Sequence, residues 1–274
     1  MRLTFHGARG SFPVAGPNFT RFGGQTTCLE LRLAGLAPLV IDGGSGAREL
    51  GRRLLAEGAG ETLLLMTHLH WDHTMGLPFF GPLYAPGWRV RLGGWPRALA
   101  GLAGMFGRVE GLGRFPVEFG QLAARIVQDP ALAAPRFKLG PLEVRTTPLN
   151  HPQGAIGLRF EAHGRALAFI SDNELDPAAA ASQRLPRFCQ GVDVLVHDAQ
   201  FEPDEMPARK GWGHSDWRSA VELARAAGVG RLILTHHDPD RVDDQVEAIV
   251  EKARRAAGPR LLVQAAHVGL TVEI

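Results

Sequence analysis

The stretch "LLLMTHLHWDHTMG", residues 63–76, constrains this chain more than any other part of its sequence. Three histidines and an aspartate lie within six positions, directly after a run of aliphatic residues. Side chains two apart in an extended chain share a face, so a strand ending before His68 would direct His68 and His70 to one point. Asp72 and His73 follow at a turn that can open a short helix and bring a second imidazole and carboxylate pair. Such clustering favours two divalent metal ions about 3.5–4 Å apart.

Further candidate ligands follow three other aliphatic runs. His151 follows "VRTTPLN", Asp172 ends "ALAFIS", and His236 ends "RLILT". Each is weakly specific alone, because Asp172 could cap the next segment and His151 could be a turn residue. We prefer His236 to His237, because consecutive side chains on an extended segment point in opposite directions. Asp172 could bridge both ions, and the predicted metal ligands are His68, His70, Asp72, His73, His151, Asp172 and His236.

Composition limits the classes of protein that remain. The chain has 274 residues, 45% of them hydrophobic, and a formal net charge of only +2, which predicts one globular domain over residues 1–274 and no long nucleic-acid partner. No stretch approaches the roughly 18 apolar residues needed to span a bilayer, so we expect a cytoplasmic protein without membrane contact. Cys28 and Cys189 lie far apart, which excludes a metal site built from cysteines.

Short aliphatic runs alternate with helical patterns, and this alternation is typical of the α/β class. Strands are predicted at "CLELRL", "APLVID", "TLLLM", "LEVRTT", "IGLRFEA", "ALAFIS", "VDVLVH", "RLILTH" and "RLLVQ". The helix in "SDWRSAVELARAAG" could be capped by Ser215, and the helix in "DDQVEAIVEKARRAAG" by Asp243 or Asp244. The segment of about 77–141 is rich in glycine and proline. It predicts an insertion or a lid over the site, with an ordinary crossover connection as the alternative.

The motifs together resemble the metallo-β-lactamase superfamily over most of the chain. "THLHWDH" matches its H-x-H-x-D-H signature, "DGGSG" at 42–46 its early Asp-Gly motif, and "NHPQGAIGLRF", "SDNE" and "LTHHDPD" its later ligand motifs. The resemblance implies an α/β (α+β) fold, a four-layer αββα sandwich with the site along one edge of the two sheets. It also implies that Asp42 supports the metal-binding loop from behind.

Narrower features resemble the branch that contains ribonuclease Z and the phosphoribosyl cyclic phosphodiesterases. "VLVHDAQF" and "GWGHSDWRSAVELARAAGVGRLILTH" look like ribonuclease Z, and "GARGSFPVAGPNFTRFGGQTTC" looks like the opening loop of the cyclic phosphodiesterases. This likeness implies that His214 assists proton transfer, with Asp198 standing where the family has glutamate. Asp72 is counted among the catalytic residues too. Only a tight turn near His163 lies between His151 and Asp172, which disfavours transfer-RNA maturation and favours a small substrate.

The sequence therefore predicts a dinuclear metal-dependent hydrolase. The preferred reaction is cleavage of a small or cyclic phosphodiester by a metal-bridging hydroxide, with zinc as the preferred metal and manganese as the alternative. A hydrolase of lactones, lactams or thioesters would use the same hydroxide, and a metal-stabilised binding or regulatory module is the third hypothesis. A homodimer stays open. Arg9, Ser11 and Lys210 could touch an anionic substrate, although polar residues beside glycines are commonly turn residues.

Overall fold

A computed structural model of the chain describes residues 1–109, 112–113 and 115–274. The strands are β1 (Arg2–Gly7), β2 (Cys28–Arg32), β3 (Leu39–Ile41), β4 (Glu61–Met66), β5 (Arg89–Gly94), β6 (Arg108–Val109), β7 (Leu112–Gly113), β8 (Arg125–Gln128), β9 (Arg136–Leu139), β10 (Leu142–Leu149), β11 (Ala155–Ala162), β12 (Arg165–Ile170), β13 (Val194–Asp198), β14 (Arg231–Thr235), β15 (Leu262–Ala265) and β16 (Thr271–Glu273). The α-helices are α1 (Ala47–Glu57), α2 (Trp71–Thr74), α3 (Ala98–Met105), α4 (Ala180–Phe188), α5 (Met206–Arg209), α6 (Trp217–Ala226) and α7 (Asp243–Ala257). Short 3-10 turns lie at Pro17–Phe19, Leu77–Phe79, Gly81–Tyr84, Phe119–Gln121 and Pro130–Ala133.

Two seven-stranded mixed sheets form the centre of the protein. The strand order is β16-β1-β2-β3-β4-β5-β8 in the first sheet and β15-β14-β13-β12-β11-β10-β9 in the second. Strands β3, β4, β5 and β8 run parallel to one another, and so do β12, β13, β14 and β15. Helical connections between parallel strands leave helices on the sheet faces.

Apolar side chains fill three successive layers of core. Leu29, Leu65, Phe160 and Phe169 belong to the core between the two sheets. Helices α4, α6 and α7 cover the outer face of the second sheet through Leu185, Val221 and Ile249, for example, and α1 and α3 cover the outer face of the first. The predicted four-layer αββα sandwich is therefore confirmed. No helix within the described residues has the length and apolar character needed to cross a membrane.

The parallel pairing explains why distant candidate residues meet. Ile170, His197 and Leu234 lie side by side in β12, β13 and β14, so the chain beyond each strand leaves the sheet at one edge. Asp172 and His236 follow two of these strands directly. The first sheet contributes its loops at the same edge, where the Asp42 N–H donates to the Leu65 carbonyl at 3.0 Å. One edge thus collects residues from across the sequence.

The nine predicted strands are all present, but both predicted helix caps are wrong. Asp216 rather than Ser215 caps α6, since its carboxylate accepts from the Arg218 and Ser219 N–H groups, while the Ser215 hydroxyl donates to the Asn173 carbonyl. Val242 occupies the cap position of α7. The Asp243 carboxylate instead accepts from the Arg21 and Phe22 N–H groups, in a neighbouring loop. The side chains of Ser215 and Asp243 form tertiary hydrogen bonds and therefore do not cap these helices.

The 77–141 segment is more integrated into the sheets than an inserted lid. It supplies β5 and β8 to the first sheet and β9 to the second. Among its described residues, α3, the hairpin strands β6 and β7 and the 3-10 turns lie outside the two main sheets. These strands are short and lie beside glycine- and proline-rich stretches, so the hydrophobic pattern of the sequence did not predict them.

A buried ion cluster links β2 to α1 and gives a stability prediction. Glu30 is fully buried, accepts from Arg32 Nε at 2.5 Å and pairs with Arg53. Burial raises the pKa of Glu30, but hydrogen bonds from His6 and Arg32 and the charges of both arginines outweigh it and hold the pKa at about 2. Because the folded pKa is depressed, the stabilisation is present above the unfolded pKa of about 4.3 and is lost as the pH falls towards 2.

Glu30→Gln should therefore lower the free energy of unfolding at pH 7 by about 1–3 kcal/mol, and by progressively less below pH about 4. Urea unfolding of the metal-free proteins at pH 7 and pH 3 measures the difference. Glu49→Gln, which removes an exposed partner of Arg52 on α1, is the matched control and should change little at either pH. A Glu30→Gln deficit of equal size at both pH values would contradict the assignment.

Candidate metal centre

The structure brings all seven predicted ligands together at the shared sheet edge. His68, His70 and His151 form one group, and Asp72, His73, Asp172 and His236 form a second, with the ligand atoms of each group within 4.8 Å of one another. As predicted, β4 ends just before His68, and α2 opens immediately after His70. Their roles as metal ligands remain a proposal that the geometry supports.

Asp172 lies between the two groups. Its Oδ1 is 3.0 Å from His73 Nε2 in the second group, while Oδ2 is 3.3 Å from His236 Nε2. The same Oδ2 is 3.7 Å from His68 Nε2 and 3.8 Å from His151 Nε2 in the first group. A carboxylate in this position has the geometry to serve two ions at once.

Hydrogen bonds hold His68 and His73 with one ring nitrogen turned inward. Thr67 Oγ1 donates to Asp42 Oδ2 at 2.7 Å and is 3.0 Å from His68 Nδ1, from which it accepts. His73 Nδ1 donates to Asp42 Oδ2 at 2.8 Å. Asp42 thus fixes both rings, one of them through Thr67, as the resemblance implies. The Nε2 atoms of both rings are thereby directed towards Asp172.

His151 and His236 are oriented in the same way by other parts of the chain. His151 Nδ1 donates to the Gly213 carbonyl at 2.9 Å, and His236 Nδ1 donates to Gln200 Oε1 at 3.0 Å. His237 is buried on the other side of the backbone, with Nε2 2.9 Å from the Ala266 carbonyl. The structure therefore places His236, and not His237, in the cluster.

Strained backbone marks the centre. Asp42, Asp172 and His236 have φ values of 56°, 60° and 58°, in the left-handed region that non-glycine residues seldom adopt. Such conformations cost about 1–3 kcal/mol each and concentrate at functional sites. Two glycines allow the close packing: a Cβ at Gly10 would lie 2.1 Å from His236 Nδ1, and a Cβ at Gly213 would lie 2.2 Å from His151 Nδ1.

The buried carboxylates and imidazoles of the centre change one another's pKa. Burial raises the pKa of Asp172, but the charges of His236 and His73 outweigh it and hold the pKa well below its usual range. Burial lowers the pKa of His236, but Asp172 and Asp72 outweigh it and raise the pKa to about 10. Burial keeps the pKa of His68 well below its usual range. Without metal ions, protonated histidines such as His236 balance the negative charge of these carboxylates, and divalent ions would take the place of those protons.

The residues fit a metal centre. His68 Nε2 and His73 Nε2 are buried and have no hydrogen-bond partner, a costly state unless a cation occupies the space between them. Imidazole and carboxylate together are suited to divalent transition metals. The cluster and the fold thus define a centre for divalent metal ions.

His214 and Asp198 lie beside this centre. His214 stacks on the His236 ring at 4.7 Å, and its Nδ1 is 3.6 Å from Asp198 Oδ2 and 3.9 Å from Asp172 Oδ2. The Nδ1 atom is buried without a hydrogen-bond partner. Asp198 Oδ2 accepts from the Ser215 N–H at 2.9 Å, so Asp198 acts on His214 through its charge and not through a hydrogen bond. His214, His151 and Asp172 also lie within ligand distance of one another.

Two supporting residues, Gln200 and Glu174, were not predicted from the sequence. Gln200 orients His236, and Glu174 Oε2 accepts from the Gly211 and Gly213 N–H groups at 2.8 and 3.1 Å, which fixes the loop that holds His151. Each stands two residues beyond a predicted site residue, in "SDNE" and "VHDAQ". That spacing after a strand was the available signal.

Of the three residues considered for substrate contact, Arg9 does not face the site. It is fully buried, and its guanidinium donates to the Gly23, Asp238 and Arg241 carbonyls and to Asp243. These hydrogen bonds connect the loops that contain Gly23, Asp238 and Arg241. The Ser11 N–H donates to Asp72 Oδ2 at 2.8 Å, so Ser11 positions a candidate ligand. Lys210 is exposed in the loop that precedes His214.

Asp42→Asn should weaken metal binding without abolishing the fold. Asparagine tolerates the left-handed backbone at this position but can no longer accept from Thr67 and His73 together. We expect the metal affinity to fall by about 10- to 100-fold, measured by competition with a chromophoric chelator. Asp129→Asn, which removes a partner of Arg91 away from the centre, is the control. Equal affinity in wild type and Asp42→Asn would show that Asp42 does not orient the ligands.

Two sheets with a histidine and aspartate cluster at their common edge define a class of metal-dependent hydrolases. Residues 39–237 match the family described as the beta-lactamase superfamily domain, and the chain belongs to that family. Ribonuclease Z of Bradyrhizobium diazoefficiens is 28% identical over 313 aligned positions, which cover 97% of this chain and 98% of that protein. The chain is thus a metal-dependent hydrolase of the metallo-β-lactamase superfamily.

Solved structures agree with this fold. The metallo-beta-lactamase fold protein YhfI from Bacillus subtilis superposes with a TM-score of 0.72 at 18% identity, covering 99% of this chain and 98% of that one. A diphosphatase from the PhnP family superposes with a TM-score of 0.68 at 20% identity, covering 100% and 97%.

Proposed function

We propose that the chain is a dinuclear phosphodiesterase that acts on a small phosphodiester. The observation that carries the proposal is His214, whose buried and unpartnered Nδ1 faces the metal centre beside the carboxylate of Asp198. Hydrolysis of a phosphodiester releases an alkoxide, which needs a proton that His214 is placed to donate. The names of two similar proteins, a ribonuclease Z and a diphosphatase, support chemistry at a phosphate linkage.

His68, His70 and His151 would hold one ion, Asp72, His73 and His236 the other, and Asp172 both. When bound, the ions would neutralise the phosphate and lower the pKa of water so that hydroxide is available near neutral pH. Three imidazoles in the first group favour zinc. Two carboxylates in the second group leave manganese as an alternative.

His214 and Asp198 would supply the proton that the leaving group needs. Hydroxide adds to phosphorus, the bond from phosphorus to the leaving oxygen breaks, and the leaving oxygen takes a proton from His214 Nδ1. Asp198 stabilises the charged imidazole through its negative charge at 3.6 Å. Stacking on His236 keeps the His214 ring in place during the step. The products are a phosphate monoester and an alcohol.

A small substrate suits the surface beside the centre. Strands β11 and β12 join directly, with Ala162 paired to Arg165, so no arm for a large RNA extends from this hairpin. The hairpin supports a small diester over transfer RNA as the substrate.

The rates of hydrolysis of two chromogenic substrates test the proposal. The zinc-loaded protein should have a kcat/KM for a p-nitrophenyl phosphodiester at least about tenfold above that for a chromogenic lactone, because two metal ions would stabilise the negative charge that develops on a phosphoryl group. A lactone or thioester preferred by a similar factor would replace the proposal with the carbonyl-hydrolase alternative, which uses the same metal ligands.

A further inference from the structure

A cavity of about 760 Å³ adjoins the metal centre. It begins at Leu69 and Trp71, the residues on either side of His70, and extends between α2 and α3. Its volume falls within the range of about 300–1,000 Å³ that is usual for small-molecule sites. Because the two neighbours of His70 form part of its wall, the cavity lies close to one of the candidate metal ligands.

The described residues that line the cavity are mostly apolar. Met75, Phe79, Met105 and Phe115 supply side chains, and Ala100, Gly101 and Gly104 supply the surface of α3. Among the described lining residues, the polar side-chain groups are the Trp71 indole N–H and the Thr74 hydroxyl, which already donates to the His70 carbonyl at 3.0 Å. A base or sugar would leave its polar groups unpaired here. The lining therefore fits an uncharged apolar group.

Exposed aromatic rings lie at the cavity and in two loops that contact the metal centre. Trp71 is 79% exposed and Phe79 57% exposed, although both line the cavity. Phe12 is 63% exposed and follows Ser11, which contacts Asp72, while Trp212 is 54% exposed and precedes the glycine that holds His151. Apolar surface gathered in one place on a soluble domain marks a binding site. Trp71 and Phe79 supply such surface at the cavity beside His70.

We propose that this cavity binds an apolar arm of the substrate, an alkyl or aryl group, while the phosphate of the same diester lies at the metal centre. The inference rests on the phosphodiesterase function proposed above and names its substrate class, an amphiphilic phosphodiester. The charge distribution is complementary to such a molecule: the histidines and the metal ions that they would hold suit the anionic phosphate, and the described lining residues, which are uncharged, suit the arm.

Gly104 offers a direct way to fill the cavity. A Cβ built at Gly104 meets no atom within 4 Å, so a leucine there would enter open space, and leucine favours a helix more than glycine does. Gly120 is the matched control, since a Cβ there also meets nothing and the residue does not line the cavity. Gly104→Leu should therefore fold as well as wild type, which thermal unfolding checks.

Calorimetry with zinc-loaded protein would compare dihexyl phosphate with dimethyl phosphate. We expect dihexyl phosphate to bind about 10- to 100-fold more tightly, because burying methylene groups is favourable. The ratio should fall towards one in Gly104→Leu and persist in Gly120→Leu. A ratio near one in wild type, or an unchanged ratio in Gly104→Leu, would overturn the inference.

Hydrolysis of hexyl and methyl p-nitrophenyl phosphate separates this inference from the proposed function. If both esters are cleaved without preference, the phosphodiesterase stands and the cavity assignment fails. If dihexyl phosphate binds preferentially but neither ester is cleaved, the cavity assignment stands as a binding site and the proposed function fails.

Discussion

Asp172→Asn is expected to lose metal and to reduce phosphodiester hydrolysis by more than about 10³-fold. Asp172 lies within 4 Å of ring nitrogens in both groups. Asparagine keeps the shape and tolerates the left-handed backbone at this position, so the change removes the charge and not the fold. Without that charge, Asp72 would be the only negatively charged candidate ligand left to balance the positive charge of the two ions.

Metal content after dialysis, together with the rate on bis(p-nitrophenyl) phosphate, measures the effect of Asp172→Asn. Asp244→Ala is the control, because its side chain is 93% exposed at the start of α7. Asp172→Asn protein that retains full metal and full rate would show that Asp172 does not bridge the ions.

His214→Gln is expected to keep its metal and to lose about 10²- to 10⁴-fold in rate, the usual contribution of a general acid. The loss should be larger for a diester with a phenol leaving group than for one with p-nitrophenol. The nitrophenolate ion leaves without a proton, whereas the more basic phenolate needs one. The measurement is kcat for the two esters, with metal content determined on the same samples.

His163→Asn is the matched control for His214→Gln, since His163 lies in the exposed β11–β12 turn, where asparagine suits the left-handed backbone. Loss of metal from His214→Gln would instead make His214 a ligand with His151 and Asp172, a geometry that the distances allow. An equal loss of rate for both esters would remove the general acid role.

The ligand set and the sandwich could be predicted because their signals are local. His68, His70, Asp72 and His73 fall within six positions behind a strand, and the remaining ligands each follow an aliphatic run. Parallel strands then bring their carboxyl ends to one edge whatever the details of packing. The resemblance to a known superfamily added the order of the layers.

Contacts between distant parts of the chain explain what the sequence did not predict. Glu174 gains its role from glycines 37 and 39 positions later, and Arg9 from carbonyls as many as 232 positions away. Ser215 and Asp216 are equally good caps locally, and only the contact of Ser215 with Asn173 decides between them. The cavity beside His70 forms between α2 and α3, whose separation in space no periodicity reveals.

A zinc titration of the metal-free protein tests the central claim most directly. The rate of bis(p-nitrophenyl) phosphate hydrolysis is followed while zinc is added from a buffered stock. The account predicts that the rate rises to its maximum only at about two equivalents per chain, because both ligand groups must be filled. A maximum at one equivalent, or two bound ions with no hydrolysis, would contradict a dinuclear phosphodiesterase.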